Sequence, residues 1–116
     1  MLSSLLSFLR PGNPDIDLHA EDFASELSST PNAVVLDVRT SGEYNGGRLP
    51  NARLMDISSP SFGQKLEALD RATPYFVYCA SGSRSAHAAR MMSQMGFSHV
   101  RNLAGGIMSW RGKIVR

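Results

Sequence analysis

Residues 75–86 read YFVYCASGSRSA and contain the only cysteine of the chain, Cys79. The four residues before the cysteine are aromatic or β-branched, which is typical of a strand buried in a sheet. Four small residues follow the cysteine, and Arg84 then precedes an alanine-rich pattern with helical spacing. This order predicts a buried strand that delivers a thiol into a tight turn, with a helix starting on the far side of the turn.

The turn after Cys79 has the composition of an anion-binding loop. Ala80, Ser81, Gly82 and Ser83 carry no bulky side chain, and Gly82 can adopt the positive φ that a tight turn requires. Successive backbone N–H groups in such a turn point inward and, with the N-terminus of the next helix, favour a negative charge.

The energetics of thiol ionisation support a functional cysteine. A free thiol has a pKa of about 8.5, so only about 3% of it is thiolate at pH 7. A few N–H contacts, each worth about 1.5 kcal/mol or more to a charged acceptor, would make the thiolate the main form. We therefore expect a reachable Cys79 thiolate that needs no histidine base. The alternative is a structural cysteine in the core, which is the usual place for a lone cysteine.

Hydrophobic patterns along the chain predict strands that alternate with helices. We expect strands at 16–18, 33–38, 52–57, 75–78 and 100–103, helices at 21–27, 61–69 and 85–95, a helical turn at 107–110 and irregular structure at 40–50. Short, continuously apolar strands separated by helices indicate an α/β fold with a mainly parallel central sheet flanked by helices.

Composition excludes several classes of function. A chain of 116 residues with a 42% hydrophobic share fits one domain with one core. A net charge of +2, with basic residues scattered among acidic ones, gives no basis for nucleic-acid binding. One cysteine cannot form an internal disulfide, and the histidines form no spaced ligand set. We therefore expect no cofactor, no metal and a cytoplasmic location.

Residues 1–14 differ from the rest of the chain. Four leucines lie at helical spacing within residues 2–9, but the stretch is too short to span a bilayer. Its arginine follows the apolar run, whereas a signal peptide has positive charge before it. We expect an N-terminal helix or tail at 1–14 next to a domain at 15–116, with no stable membrane insertion. A transient contact with a membrane or partner and a degenerate export signal are the alternatives.

The motif Cys79-x-x-Gly82-x-Arg84-Ser85 resembles the active-site loop of the rhodanese family of sulfurtransferases. Other landmarks of that family occur in the same order over about residues 15–112: LDVR (36–39) with Glu43-Tyr44, GRLPNA (47–52), and Gly96-Phe97 followed by Asn102-Leu103, Gly105-Gly106 and Trp110. Arg48 and Asn51 depart from the histidine and glycine that the family commonly has there. The resemblance implies a rhodanese-like three-layer domain.

The resemblance also implies transfer of a sulfane sulfur. In such a cycle, the Cys79 thiolate takes the outer sulfur of a small donor, such as thiosulfate or a persulfide. Cyanide, a thiol or a protein acceptor then removes that sulfur from the cysteine persulfide. The backbone of Ala80, Ser81, Gly82, Ser83 and Arg84 would hold the terminal sulfur. Ala80 and Ser81 are uncharged, whereas thiosulfate-specialised relatives have basic residues in this loop, which argues against thiosulfate as the physiological donor.

The resemblance assigns supporting roles to four charged residues. Arg84 is expected to bond the loop carbonyls and Asp37, and so to close the loop and act on the anion. Arg39 and Glu43 are expected to form a structural ion pair beneath the loop, with contact to the substrate as the alternative.

Two other functions fit part of the pattern. Cysteine phosphatases and arsenate reductases also hold a thiolate among N–H groups, but their loop has five residues between cysteine and arginine, and this chain has four. A catalytically silent interaction module of the rhodanese family typically lacks the cysteine, which this chain retains.

Overall fold

A computed structural model describes Asn13 and residues 15–116. Within that part of the chain, five strands form one sheet in which every neighbouring pair is parallel. The strands are β1 (Asp17–Leu18), β2 (Val34–Asp37), β3 (Arg53–Leu54), β4 (Tyr75–Tyr78) and β5 (Val100–Leu103), in the spatial order β1-β5-β4-β2-β3. The helices are α1 (Ala20–Ser29), α2 (Ser41–Gly46), α3 (Phe62–Glu67), α4 (Ser83–Gln94) and α5 (Gly106–Ser109).

Each face of the sheet has its own hydrophobic core. The α3/α4 core lies between the sheet and helices α3 and α4, and its members include Leu36, Val77, Leu66, Ala88 and Met92. The α1/α5 core lies on the other face and includes Phe23, Val35, Phe76, Tyr78 and Leu103. This arrangement confirms the predicted three-layer α/β domain with a parallel central sheet.

Most predicted elements are present, and strands β4 and β5 have the predicted bounds. Strands β1, β2 and β3 and helix α3 are shorter than predicted, α1 is longer, and α4 starts two residues earlier. The helix or tail predicted at 1–14 lies outside the described residues, apart from Asn13.

The prediction of irregular structure at 40–50 is wrong for helix α2. The Thr40 hydroxyl accepts a hydrogen bond from the Glu43 backbone N–H at 3.3 Å, and the Glu43 carboxylate accepts one from the Thr40 N–H at 3.2 Å. This reciprocal capping box satisfies two backbone donors at the start of the helix. It therefore stabilises a short helix in which two glycines lower the intrinsic helix propensity.

Among the described residues, no helix has the length and apolar character needed to span a bilayer. The cytoplasmic location stays a prediction.

Candidate active site

Cys79 is the first residue after β4, and the alternation of that strand decides which way it points. Tyr75 and Val77 belong to the α3/α4 core, and Phe76 and Tyr78 belong to the α1/α5 core. Because side chains alternate along a strand, Cys79 faces the α3/α4 core. The thiol therefore lies between the carboxyl end of the central strand and the N-terminus of α4.

Three hydrogen bonds converge on the Cys79 sulfur. The Gly82 backbone N–H donates at 3.1 Å, and the backbone N–H and the hydroxyl of Ser85 donate at 3.4 and 3.3 Å. Gly82 has φ = 105°, a left-handed conformation that side chains disfavour. Among the loop residues, the Gly82 amide therefore points toward the sulfur.

These hydrogen bonds outweigh the effect of burial on the thiol. Burial raises the pKa of Cys79, because removal from water disfavours the thiolate. The hydroxyl of Ser85 and the backbone N–H groups of Ser85, Gly82 and Ser81 act in the opposite direction, and the net effect lowers the pKa of Cys79 below its ordinary value. The arrangement therefore favours a thiolate without a histidine partner.

The start of α5 supports the backbone of Cys79 and of the loop residue after it. The backbone N–H groups of Ile107 and Met108 donate to the carbonyls of Cys79 and Ala80, at 2.9 and 3.2 Å. A Cβ atom on Gly106 would lie 2.6 Å from the Cys79 carbonyl oxygen and would overlap the Ala80 carbonyl as well. These contacts turn the loop carbonyls outward, which leaves the amides free to face the sulfur.

A second support for the loop comes from β5. The side-chain amide of Asn102 donates to the Gly82 carbonyl at 3.3 Å and to the Asp17 carboxylate at 2.8 Å. Asn102 is buried, so its amide fixes the turn at Gly82 against the sheet.

The sulfur itself is covered. Cys79 has 0% exposed surface, so the prediction of a reachable thiol is wrong for this conformation. The apolar side of the sulfur packs in the α3/α4 core, while the loop amides and Ser85 cover its polar side. A molecule from solution can reach the sulfur only if some of the residues that cover it move.

Arg84 binds Glu43, not Asp37. Its two terminal nitrogens donate to the two carboxylate oxygens of Glu43, both at 3.0 Å. The expected bond to Asp37 is wrong because Asp37 pairs in register with Tyr78, one residue before Cys79. Alternation therefore places Asp37 on the sheet face opposite Arg84 and α4.

Arg39 binds Asp37, not Glu43, on that opposite face. The Arg39 Nη2 lies 2.7 Å from an Asp37 carboxylate oxygen and also donates to the Gly47 carbonyl at 2.7 Å. The Tyr78 hydroxyl donates to the same carboxylate at 2.6 Å. The predicted Arg39–Glu43 pair is therefore wrong. Asp37 and Arg39 instead form a buried network that joins the ends of β2 and β4.

The electrostatics of the Arg84–Glu43 pair follow from its geometry. The Arg84 guanidinium lowers the pKa of Glu43 to about 2, so this carboxylate is ionised at neutral pH. Glu43 in turn raises the pKa of Arg84, with a smaller contribution from the nearby Cys79 thiolate. Arg84 thus lies within the field of both anions.

The family model described as a rhodanese-like domain matches residues 19–113, which includes every element that builds this site except β1. The chain belongs to the rhodanese-like domain family.

Relatives and solved structures agree with this assignment. The chain is 28% identical over 94 residues to a sulfurtransferase of Allochromatium vinosum, covering 81% of this chain and 86% of that protein. It is 34% identical over 79 residues to YtwF of Bacillus subtilis, named as a candidate sulfurtransferase, covering 68% of this chain and 74% of that protein. A rhodanese-related protein of Thermoplasma volcanium is similar in structure, with a TM-score of 0.74 and 33% identity over 86% of this chain and 97% of that one.

The two departures from the family motif have local explanations in this rhodanese-like domain. Asn51 has φ = 63°, the left-handed conformation that glycine would adopt in the same turn. The Arg48 guanidinium lies over the Tyr44 ring, 4.5 Å from its centroid, and donates to the Tyr44 carbonyl at 3.4 Å. Arg48 therefore packs on helix α2 instead of pointing at the sulfur.

Sequence reasoning missed three supports of the rhodanese-like loop. Ser85, Asn102 and Gly106 each contact the loop or the sulfur directly. Ser85 could have been identified, because a hydroxyl in the first turn of a helix lies near groups at the helix N-terminus. Asn102 and Gly106 are distant in sequence, and only the parallel pairing of β4 with β5 brings them to the loop.

Proposed function

We propose that this rhodanese-like domain is a sulfurtransferase that carries a sulfane sulfur on Cys79 as a persulfide. The observation that carries the proposal is the convergence of the Gly82 N–H and the Ser85 N–H and hydroxyl on one sulfur at a strand end. Relatives named sulfurtransferases support the same reaction class.

The first half of the reaction loads the cysteine. The Cys79 thiolate attacks the outer sulfur of a donor such as thiosulfate, and a new S–S bond forms. The original S–S bond of the donor breaks, and its electron pair leaves with sulfite. The cysteine becomes a persulfide anion, and the charge stays among the loop amides that stabilised the thiolate.

The second half of the reaction removes the terminal sulfur from Cys79. A thiophilic acceptor, such as cyanide or a thiolate, attacks the terminal sulfur, and the S–S bond to Cys79 breaks with its electron pair returning to the cysteine sulfur. Proton transfer is not required in either half, which agrees with a site that has no histidine base among the contacts of the sulfur. Two successive displacements predict ping-pong kinetics.

Arg84 is proposed to position the rim of the loop. Its guanidinium is held on Glu43, and both side chains are about one third exposed, at 38% and 34%. This pair can therefore move more easily than the buried Asp37–Arg39 pair, whose side chains are 0% and 7% exposed. Movement of Arg84 would open a path to the covered sulfur.

The compact loop argues against phosphate-ester hydrolysis. Gly82 and Ser85 already donate to the cysteine sulfur at 3.1 and 3.4 Å, and one terminal persulfide sulfur needs fewer additional donors than the oxygens of a phosphoryl group. A tetrahedral oxyanion would need further amides beyond that sulfur, and the loop has one residue fewer than the phosphatase loops.

Mass spectrometry of the intact protein tests the proposal. After incubation with thiosulfate or with glutathione persulfide, we expect a mass gain of one sulfur atom, which cyanide removes and which Cys79→Ser abolishes. Absence of the adduct with both donors would refute the proposed function.

A further inference from the structure

A pocket of about 330 Å³ lies on the sheet face opposite the Cys79 sulfur. Leu27, Leu49 and Trp110 line it and belong to or pack against the α1/α5 core, whereas Cys79 belongs to the α3/α4 core. Seven of its nine lining residues are apolar. Apolar walls and a volume at the lower end of about 300–1,000 Å³ are typical of sites for small organic ligands. We call this cavity the Trp110 pocket.

The aromatic wall of the Trp110 pocket is fixed by its neighbours. The indole N–H of Trp110 donates to the Lys113 carbonyl at 3.0 Å. The Phe23 ring meets the indole edge to face, with ring centroids 6.2 Å apart. A Cβ on Gly112 would lie 2.6 Å from an indole carbon, so the glycine backbone packs closely on the ring. A ligand would therefore meet a wall that needs little further ordering.

Another wall of the Trp110 pocket is a strand edge that lacks a neighbour. Val34 and Val35 of β2 line the pocket. Both pair with β4 on one side, but on the other side β3 pairs only with Leu36 and Asp37. The pocket therefore lies where the edge of β2 has no adjacent strand among the described residues.

The backbone N–H of Val35 faces this open edge. Along β2, the Val34 N–H donates to the Pro74 carbonyl on the β4 side at 2.9 Å, and the Asp37 carbonyl accepts from the Met55 N–H on the β3 side at 2.8 Å. Because backbone groups alternate in direction along a strand, the Val35 N–H faces the β3 side. It makes no hydrogen bond with the described residues. An N–H without a partner in a pocket wall favours a hydrogen-bond acceptor on the ligand.

The charge of the lining favours an acceptor that is negative. Arg53 is the only ionisable residue among those that line the pocket, and no acidic residue lines it. Arg53 is exposed and forms no ion pair with residues in the described part of the chain. A carboxylate accepts hydrogen bonds from both an N–H and a guanidinium, and its charge complements that of the arginine.

We propose that the Trp110 pocket binds a small apolar carboxylic acid, with its hydrocarbon group against Trp110 and its carboxylate at the β2 edge, near Val35 and Arg53. A neutral hydrocarbon would leave the Val35 N–H without an acceptor, and an inorganic anion would leave the apolar walls uncovered. The site does not depend on the proposed sulfur transfer, because it lies on the other face of the sheet.

Titration of the ¹⁵N-labelled native chain with 4-phenylbutyrate tests this proposal by nuclear magnetic resonance. We expect saturable shifts of the Val35 backbone amide signal and of the Trp110 indole N–H signal. The amide signals of Gly82 and Ser85, which contact the sulfur on the other face, should stay unchanged. Trp110 is the only tryptophan of the chain, so its fluorescence supplies an independent Kd.

The carboxylate is tested with a matched uncharged probe and a charge variant. We expect 4-phenylbutyramide to bind at least about fivefold more weakly than 4-phenylbutyrate. Arg53→Gln should raise the Kd of 4-phenylbutyrate about fivefold, the effect of about 1 kcal/mol for an exposed charge contact, and leave the Kd of the amide unchanged. Arg90→Gln, an exposed arginine of α4 outside the pocket, is the matched control and should bind both probes as the native chain does.

Each contrary result overturns the proposal. A titration without saturable shifts at Val35 and Trp110 would show that the pocket does not bind the acid. Shifts centred on Gly82 and Ser85 would place the ligand at the sulfur instead. Equal binding of the acid and the amide, or an unchanged Kd in Arg53→Gln, would show that the carboxylate is not recognised. Sulfur loading of Cys79 is a separate measurement, so failure of one proposal is distinguishable from failure of the other.

Discussion

Arg84 and Glu43 form a two-pronged ion pair, with both N–O distances at 3.0 Å, beside the buried Cys79 sulfur. The positive charge of Arg84 is thus shared between a permanent carboxylate and a thiol that can ionise. We therefore predict that removing Glu43 and removing Arg84 shift the pKa of Cys79 in opposite directions.

Removing either partner should change the pKa of Cys79 in a predictable direction. Glu43→Gln leaves the Arg84 charge uncompensated, so the pKa of Cys79 should fall. Arg84→Gln leaves the Glu43 carboxylate near the thiol, so the pKa of Cys79 should rise. The ultraviolet absorbance of the thiolate, measured against pH, reports both values. Shifts in the same direction for the two variants would show that the pair does not act on the sulfur through charge.

The same pair predicts a pH dependence of stability. The folded state lowers the pKa of Glu43 to about 2 from its ordinary 4.5, so its contribution to stability is present above about pH 4.5 and is lost as the pH falls through about 2. The difference in Tm between the native chain and Glu43→Gln should therefore be constant from pH 7 to 5 and shrink in stronger acid. Because both side chains are about one third exposed, added salt should reduce the difference. A difference that grows in acid would contradict this interpretation.

Gly106 is expected to be indispensable for the shape of the loop. Gly106→Ala places a Cβ against the carbonyls of Cys79 and Ala80, at a residue whose φ is 64°. We expect a loss of about 1–3 kcal/mol in the free energy of unfolding and a fall of about tenfold or more in kcat/KM, because the donors of the loop would be misplaced. The control is Gly63→Ala, at a helical position with open space, where kcat/KM should be unchanged and the free energy of unfolding should rise by about 0.5–1 kcal/mol, because alanine is the better helix former. Normal turnover in Gly106→Ala would mean that α5 does not set the loop geometry.

We expect Tyr78 to contribute to the free energy of unfolding but not to affect the pKa of Cys79. Its hydroxyl donates to Asp37 at 2.6 Å and accepts from the Leu49 N–H at 3.2 Å, on the face opposite Cys79. Tyr78→Phe removes both bonds and leaves a buried donor unpaired, so we expect a loss of about 1–3 kcal/mol in the free energy of unfolding. The pKa of Cys79 should stay unchanged. A large change in that pKa would mean that the two faces of the sheet are coupled through β4. Tyr75→Phe is a matched control, since its hydroxyl makes no hydrogen bond with the described residues.

The fold and the position of Cys79 could be predicted because they depend on local patterns. A continuous apolar run predicts a buried strand, and small residues followed by a helical pattern predict the turn at its end. Strand β4 and the positive φ of Gly82 were both predictable in this way. Helix α2 was not predicted because its two glycines lower the helix propensity of the segment. The spacing of Thr40 and Glu43 is nevertheless that of a capping box.

The pairing of charged side chains could not be predicted from proximity in the motif alone. It depends on which face of the sheet each residue occupies, and this follows from the register of β2 against β4. Because Asp37 pairs in register with Tyr78, the alternation of side chains directs Asp37 to the sheet face opposite Cys79. Arg84 therefore pairs with Glu43, and Arg39 pairs with Asp37. Burial of the sulfur depends on the packing of α3 and α4, which the sequence motif does not contain.

Titration of the Cys79 thiol in the native chain tests the central claim most directly, since the claim is that loop amides and Ser85 hold the sulfur as thiolate. The thiolate absorbance of the native chain, minus that of Cys79→Ser, needs no reagent to reach a buried sulfur. We predict a midpoint below about 8.5, the value of a free thiol, and a higher midpoint in Ser85→Ala, which loses the hydroxyl donor at 3.3 Å. A native midpoint at or above the free value would contradict the claim, because burial would then outweigh the hydrogen bonds.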